Sequence, residues 1–97
     1  SLHDDINSLH NQYLHRRKYI MTKLPVKLNS MQDAKYLVQI AESCPYDVEL
    51  ICGRYIVDAK SMLGVFSLPQ FDNVELVLHS NEIENVKIQL SKFNLLK

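Results

Sequence analysis

Two apolar periodicities alternate along this chain, and their order constrains the fold more than any other feature of the sequence. Apolar residues recur at every second position over 23–28, 48–52 and 74–79, which predicts half-buried strands. They recur at helical spacing over 34–41 and again over 83–93. A chain with this pattern folds into a sheet and helices that each bury one face.

A hairpin and a short helix complete the pattern. Gly53 and Arg54 predict a two-residue hairpin loop, because glycine adopts the positive φ that such loops require, and the returning strand covers 55–59. The apolar segment 61–68 ends before Pro69 and predicts a short helix. The element order is therefore β-α-β-β-α-β-α. Layer rules turn it into an α+β open sandwich, a four-stranded antiparallel sheet with helices on one face.

The first strand has two candidate registers. Residues 23–28 alternate regularly, whereas residues 19–24 alternate less regularly. Pro25 favours an edge position for the strand, because proline has no N–H to donate to a ladder. Ser30 and Asp33 follow with the spacing of an N-cap and a partial capping box, so we expect the first helix of the domain to begin there.

The chain opens with a segment that stands apart from this pattern. Residues 1–18 predict an amphipathic helix, and we divide the chain into a helical extension at 1–22 and an α+β domain at 23–97. Because the sequence starts without methionine, the alternative that this chain is a module of a larger protein also stays open. The apolar stripe of the leading helix consists of Leu2, Ile6, Leu9 and Tyr13.

Composition excludes several classes of protein. The chain has 97 residues, and its 11 basic and 11 acidic side chains balance, which argues against a nucleic-acid-binding protein. No apolar run approaches the roughly 20 residues that cross a bilayer, so we expect no membrane insertion. No secretory signal is visible, and cytoplasmic localisation is expected. Cys44 and Cys52 lack metal-ligand spacing and are expected to be reduced thiols near the core; no cofactor or metal is expected.

The stretch 47–68 resembles the HPr family, the phosphocarrier proteins of the bacterial phosphoenolpyruvate-dependent sugar phosphotransferase system. In that family a hairpin leads into Lys-Ser and then into a short Met/Leu-rich helix that contains glycine, as Lys60–Leu68 does here. Upstream, 34–41 resembles the first HPr helix, and the later elements fall where the family places them. The resemblance covers 23–97, and the family's element order is the βαββαβα order derived above.

The resemblance also implies a lost active site. HPr proteins carry Gly-(Ile/Leu)-His-x-Arg-Pro-Ala at the start of the first helix, and the histidine accepts phosphate from Enzyme I. Here Ser30 falls at the histidine, Gln32 at the arginine and Asp33 at the proline. A serine without an activating base is a poor nucleophile, so we expect Ser30 to cap the helix and no enzymatic activity. The histidines of this chain lie elsewhere, at His3, His10, His15 and His79.

A second site of the family keeps its residue. Ser61 matches the serine that HPr kinase phosphorylates in Gram-positive members, and a helix start favours an added phosphate. Serine is also a preferred N-cap, and capping alone is the alternative. In the family, apolar residues of this helix dock Enzyme I, enzyme IIA domains and, after serine phosphorylation, the transcriptional regulator catabolite control protein A. We expect Val65 and Leu68 in the core, and as docking candidates Met62, Leu63 and Phe66.

Two functions follow from the resemblance. The first is a non-catalytic regulatory or protein-binding paralogue that uses the helix at 61–68. The alternative is an active phosphocarrier that relays phosphate from Enzyme I to sugar-specific enzyme II components through another acceptor. An open sandwich also leaves one sheet face uncovered, where Ile51, Ile56 and Val77 are expected. The leading helix is predicted to cover that face or to pair with its copy in a homodimer.

Overall fold

The order of strands and helices follows the two periodicities of the sequence. The structure, a computed structural model, describes residues 20–97, and the predicted leading helix at 1–18 lies outside that range. The elements are β1 (Thr22–Val26), α1 (Met31–Glu42), β2 (Val48–Cys52), β3 (Tyr55–Asp58), α2 (Met62–Phe66), β4 (Val74–Leu78) and α3 (Glu84–Lys92). The predicted α+β class with the order βαββαβα is confirmed for the described residues.

One antiparallel sheet holds all four strands in the order β1-β4-β2-β3. Its two central strands are β4 and β2. Leu76 of β4 lies opposite both Leu24 of β1 and Leu50 of β2. The β2–β3 hairpin turns through Gly53 and Arg54, as predicted, and Gly53 has a φ of +60°. Glycine adopts that φ without a steric penalty, which favours it at the first position of the two-residue loop.

The three helices bury their apolar stripes in one core together with one face of the sheet. This arrangement satisfies the layer rule, because each amphipathic element has a single apolar side to hide from water. Burial of such side chains is the main favourable contribution to folding. The largest fully buried side chains are Leu37, Leu50, Leu76, Leu78, Leu90, Leu95, Val26, Val38, Val48, Val65 and Val74.

The last helix starts without a side-chain cap and continues into a tail that periodicity does not predict. Asn81 and Glu84 have the spacing of a capping pair, but Ile83 occupies the N-cap position and no side chain caps the helix. At the other end, Asn94 takes a φ of +59°, and Leu95 N–H donates to Leu90 O at 2.8 Å. This Schellman-type ending turns the chain back toward the sheet.

The tail closes the outer edge of β1. Lys27 N–H donates to Leu95 O at 2.8 Å, Lys97 N–H donates to Pro25 O at 3.0 Å, and Leu96 bridges to Val26. The missing N–H of Pro25 therefore faces the outer edge, where no β4 ladder bond is lost, and the predicted edge position is confirmed. The strand itself spans Thr22–Val26, closer to the 23–28 register than to 19–24.

The second face of the sheet is less apolar than the first. Ile56 is 60% exposed there, as predicted, and its cross-strand neighbour Ile51 is half-buried. Val77 differs from the expectation, since only 3% of it is exposed. It lies on a central strand between Lys23 and Glu49, whose long side chains flank it. Among residues 20–97, no helix is long and apolar enough to cross a membrane.

Candidate functional site

Ser30 lies at the start of α1 and caps it. Its Oγ accepts a hydrogen bond from Asp33 N–H at 3.1 Å, and its own backbone is extended. The Asp33 carboxylate in turn accepts from Asn29 N–H at 2.9 Å. This is the predicted capping box shifted by one residue, because the carboxylate bonds the residue before the cap. The capping role expected for Ser30 is confirmed.

The surroundings of Ser30 contain charges of both signs. Gln32, which falls at the family's arginine, is exposed, and Asp33 lies one residue beyond it. A groove of about 370 Å³ runs beside this loop. Lys27, Asp72 and the C-terminal Lys97 line the groove together with apolar and amide side chains. The mixture gives no concentration of positive charge of the kind that holds a phosphate.

Ser61 lies at the start of α2 and caps it with the same type of hydrogen bond. Its Oγ accepts from Gly64 N–H at 3.0 Å, and its carbonyl accepts from Val65 N–H at 2.9 Å. Its own N–H donates to Asp58 O at 3.0 Å. These hydrogen bonds make Ser61 the N-cap of a helix of five residues, and its side chain is half-buried. The capping role of Ser61 is confirmed, and its phosphorylation stays a prediction.

Gly64 is a residue of this site to which the sequence alone assigned no separate role. A Cβ at this position would lie 3.3 Å from Ser61 Oγ and 3.6 Å from Asp58 O. Glycine therefore keeps the space beside the serine hydroxyl open. The sequence signal for this role was the presence of glycine in a predicted helix. Glycine there costs about 1 kcal/mol relative to alanine, which indicates that close packing requires it.

Lys60 connects the start of α2 to the end of α1. Its Nζ donates to Cys44 O at 2.9 Å, and its backbone N–H donates to the Asp58 carboxylate at 2.9 Å. A lysine beside the last carbonyls of a helix also complements the helix dipole. The turn that carries Ser61 is thus held by side-chain hydrogen bonds from both neighbours, Asp58 and Lys60.

The side chains of α2 divide into a buried and an exposed set. Val65 is fully buried and Leu68 is 8% exposed, so both core predictions are confirmed. The three docking candidates do not behave alike. Leu63 is 82% exposed, the highest value among the exposed large apolar residues of 20–97, whereas Met62 and Phe66 are half-buried and pack against the core. Leu63 is therefore the candidate whose side chain is free for a partner.

The two serines belong to opposite ends of α1. Ser30 caps its N-terminus, whereas Ser61 follows Lys60, which bonds the carbonyl of Cys44 beyond its C-terminus. A helix of 12 residues is about 18 Å long, so one small phosphate group cannot contact both hydroxyls. The two positions singled out by the resemblance are separate sites.

His79 lies away from both serines. Its Nε2 is 2.9 Å from Glu49 Oε1, on the sheet face opposite the helices, as its place in the alternation predicts. Its backbone N–H donates to Asp47 O at 3.0 Å. His3, His10 and His15 lie outside the described residues. Among residues 20–97, therefore, no histidine adjoins the start of α1.

The two cysteines are buried and unpaired, as expected for reduced thiols. Cys52 Sγ donates to Gln70 O at 3.3 Å, and Cys44 lies at the end of α1 beside Tyr46. Burial, with smaller contributions from the Cys44 thiol and the Glu82 carboxylate, raises the pKa of Tyr46 from 10.0 to about 12. The phenol stays protonated at neutral pH and donates to Glu82 O at 3.3 Å.

The remaining chemistry of the described region is sparse. Within residues 20–97, no group of three or more His, Cys, Asp or Glu side chains is arranged to hold a metal ion. No protein-family model matches this chain, and no curated protein gives a significant match to it. The capped start of α2 with the exposed Leu63 therefore remains the site on which a functional proposal rests.

Proposed function

We propose that this chain is an HPr-like protein of the sugar phosphotransferase system that acts as a non-catalytic regulatory or protein-binding paralogue, with α2 as its docking surface. The observation that carries the proposal is Leu63, an 82% exposed leucine on a helix that starts at Ser61. Exposed apolar side chains beside half-buried Met and Phe residues suit an adaptable protein-binding surface. The βαββαβα order of the described elements supports the same proposal.

The state of Ser30 supports a non-catalytic role. Its hydroxyl oxygen accepts from the Asp33 N–H, and the Asp33 carboxylate accepts from Asn29 N–H. A nucleophilic serine needs a base that takes its proton, and this arrangement supplies a cap instead. The proposal therefore includes no relay of phosphate through the start of α1.

Regulation is proposed at Ser61. Phosphorylation there would replace a capping hydroxyl by a group of about two negative charges, at a helix start that favours negative charge. Gly64, which has no Cβ to crowd the serine oxygen, leaves space for the larger group. Lys60 is the adjacent cation, although its ammonium is bonded to Cys44 O and would have to exchange partners.

The first test is the intact mass of the chain after incubation with ATP and a Gram-positive HPr kinase. We expect one added phosphate on the parent and on Ser30→Ala, and none on Ser61→Ala. The Ser30→Ala variant is the matched control, since it removes the other capping serine. Phosphate on neither serine would remove the regulatory part of the proposal.

A second test addresses docking. Binding of the chain to Enzyme I and to an enzyme IIA domain would be measured by titration calorimetry for Leu63→Asp and for Ile88→Asp. Ile88 is 63% exposed on α3 and provides a matched control outside α2. We expect Leu63→Asp to weaken binding at least about tenfold, the effect of 1.4 kcal/mol, and Ile88→Asp to leave it unchanged. Equal effects of both variants would contradict the assignment of α2.

One further assay distinguishes the alternative, an active phosphocarrier, from the proposed non-catalytic protein. Labelled phosphate would be supplied as phosphoenolpyruvate with Enzyme I, and transfer to the chain would be followed over time. We expect no label on the protein. Label that survives in Ser61→Ala and Ser30→Ala would instead establish a different acceptor, and the non-catalytic proposal would be withdrawn.

A further inference from the structure

The two edges of the sheet are treated differently by the fold. The edge formed by β1 carries a proline and is covered by the C-terminal tail through Lys27 and Lys97. The other edge is β3, which pairs only with β2 among residues 20–97. Its residues are mostly exposed, with Tyr55 at 48% and Ile56 at 60%. An uncovered edge strand with apolar side chains is a template for pairing with another strand.

The backbone groups that point away from the sheet on β3 can be identified from the ladder. Ala59 N–H donates to Val48 O at 2.9 Å, so residue 59 faces β2. Hydrogen-bonding direction alternates along an antiparallel strand, and Val57 therefore also faces β2. The N–H and C=O of Ile56 and the N–H of Asp58 face the free edge, whereas the Asp58 carbonyl already accepts from Ser61 N–H at 3.0 Å.

We propose that β3 pairs antiparallel with β3 of a second copy of this chain, with Ile56 opposite Ile56. A two-fold axis perpendicular to the sheet keeps each face on its own side, so the strand must meet its copy with residues of the same face opposite each other. Ile56 meets this condition and has its N–H and C=O directed outward. A register centred on Val57 places Ile56 opposite Asp58 and Arg54 opposite Lys60, so it pairs like charges and is disfavoured.

The charges near this edge complement each other in the proposed register. When Ile56 lies opposite its copy, Arg54 of one chain lies opposite Asp58 of the other, and the symmetry produces this pair twice. Opposite charges placed directly across an antiparallel pair stabilise it, and like charges destabilise it. Arg54 is the exposed second residue of the hairpin turn, and the exposed Asp58 ends β3. The edge is thus self-complementary in charge as well as in register.

The size of the edge sets the strength of the association. A strand of four residues buries less surface than the 1,200–2,000 Å² of a stable interface, so the contact belongs to the weak class. We expect a dimer with a dissociation constant on the order of 0.1–1 mM. This surface lies on β3 and is independent of the docking role proposed for α2.

The test is sedimentation of the full chain over a range of concentrations up to about 1 mM, the weak end of the affinity scale. The parent is expected to shift from monomer to dimer. Arg54→Asp and Asp58→Arg each place like charges opposite each other twice, and each is expected to weaken the dimer at least about tenfold. An equimolar mixture of the two variants restores opposite charges at both positions, and we expect it to recover the parent's dimer.

Additional variants separate edge pairing from misfolding. Asp58→Arg also removes the acceptor of Lys60 N–H, so circular dichroism and thermal melting of each variant would accompany the mass measurements. Ile56→Lys changes only an exposed side chain at the centre of the contact, and we expect it to abolish the dimer while the melting temperature is kept. A parent that stays monomeric throughout, or a dimer that all three variants leave unchanged, overturns the proposal. The second result would assign self-association to a surface other than β3.

Discussion

The helices α1 and α2 begin with the same type of cap but have different roles in the fold. Each begins at a serine whose Oγ accepts a backbone N–H three residues later, at 3.1 Å for Ser30 and 3.0 Å for Ser61. Yet α1 buries five of its twelve residues, whereas α2 buries one of five. The same type of cap thus starts a helix that completes the core and a helix that exposes a leucine to solvent. Local geometry at a serine does not reveal its function; the environment of the helix behind it does.

The largest expected difference comes from one substitution made in both helices. Leu37 of α1 is fully buried, and Leu63 of α2 is 82% exposed. Leu37→Ala leaves a cavity and is expected to lower the free energy of unfolding by about 2–5 kcal/mol. Leu63→Ala is expected to change it by less than about 0.5 kcal/mol. Urea denaturation of the two variants measures the contrast, and similar losses from both would show that α2 is part of the core.

Removal of the caps is expected to have an intermediate effect. Ser30→Ala and Ser61→Ala each lose one hydrogen bond to a helix N–H, and we expect each to lower the free energy of unfolding by about 1 kcal/mol. Ser61 is half-buried and Ser30 is exposed, so water replaces the lost bond less well at Ser61. The Ser61 variant is therefore expected to be the less stable of the two. The reverse order in denaturant unfolding would contradict this account of the two caps.

The smallest expected effect concerns Gly64. Gly64→Ala gains up to about 1 kcal/mol of helix propensity, but the new Cβ crowds Ser61 Oγ. We expect these contributions nearly to cancel, with a net change within about 0.5 kcal/mol. In a Ser61→Ala background the oxygen is gone, and the same substitution is expected to stabilise the chain. A double-mutant cycle measures the coupling, and strict additivity would mean that Gly64 does not serve Ser61.

Much of the fold was predictable because its signals are local. The alternation of Val48, Leu50 and Cys52, the helical stripe of α1 and the glycine of the hairpin each depend on a few neighbouring residues. Pro25 placed β1 at an edge for the same reason, since the missing N–H is a property of one residue. The cap of α3 was not predictable in this way, because Ile83 starts that helix without a side-chain hydrogen bond.

The candidate site was predictable only in part. The two serines were recognised as caps from their positions, and Val65 was assigned to the core. The sequence did not separate Leu63 from Met62 and Phe66, because the exposure of a residue on a helix of five residues depends on which elements pack against that helix. The bond from Lys60 to the carbonyl of Cys44 spans sixteen residues of chain, a distance over which a pattern carries no information.

The sequence by itself determined the elements of this protein, their order and the side of each that faces the core. These follow from periodicity, capping and turn chemistry, which act within a few residues. Only the tertiary structure decided that, within the described residues 20–97, the C-terminal tail pairs with the β1 edge while no strand pairs with the β3 edge, and that Leu63 is exposed at the surface. Those outcomes depend on residues far apart in the chain, such as Lys27 with Leu95, which meet only after the sheet and helices have packed together.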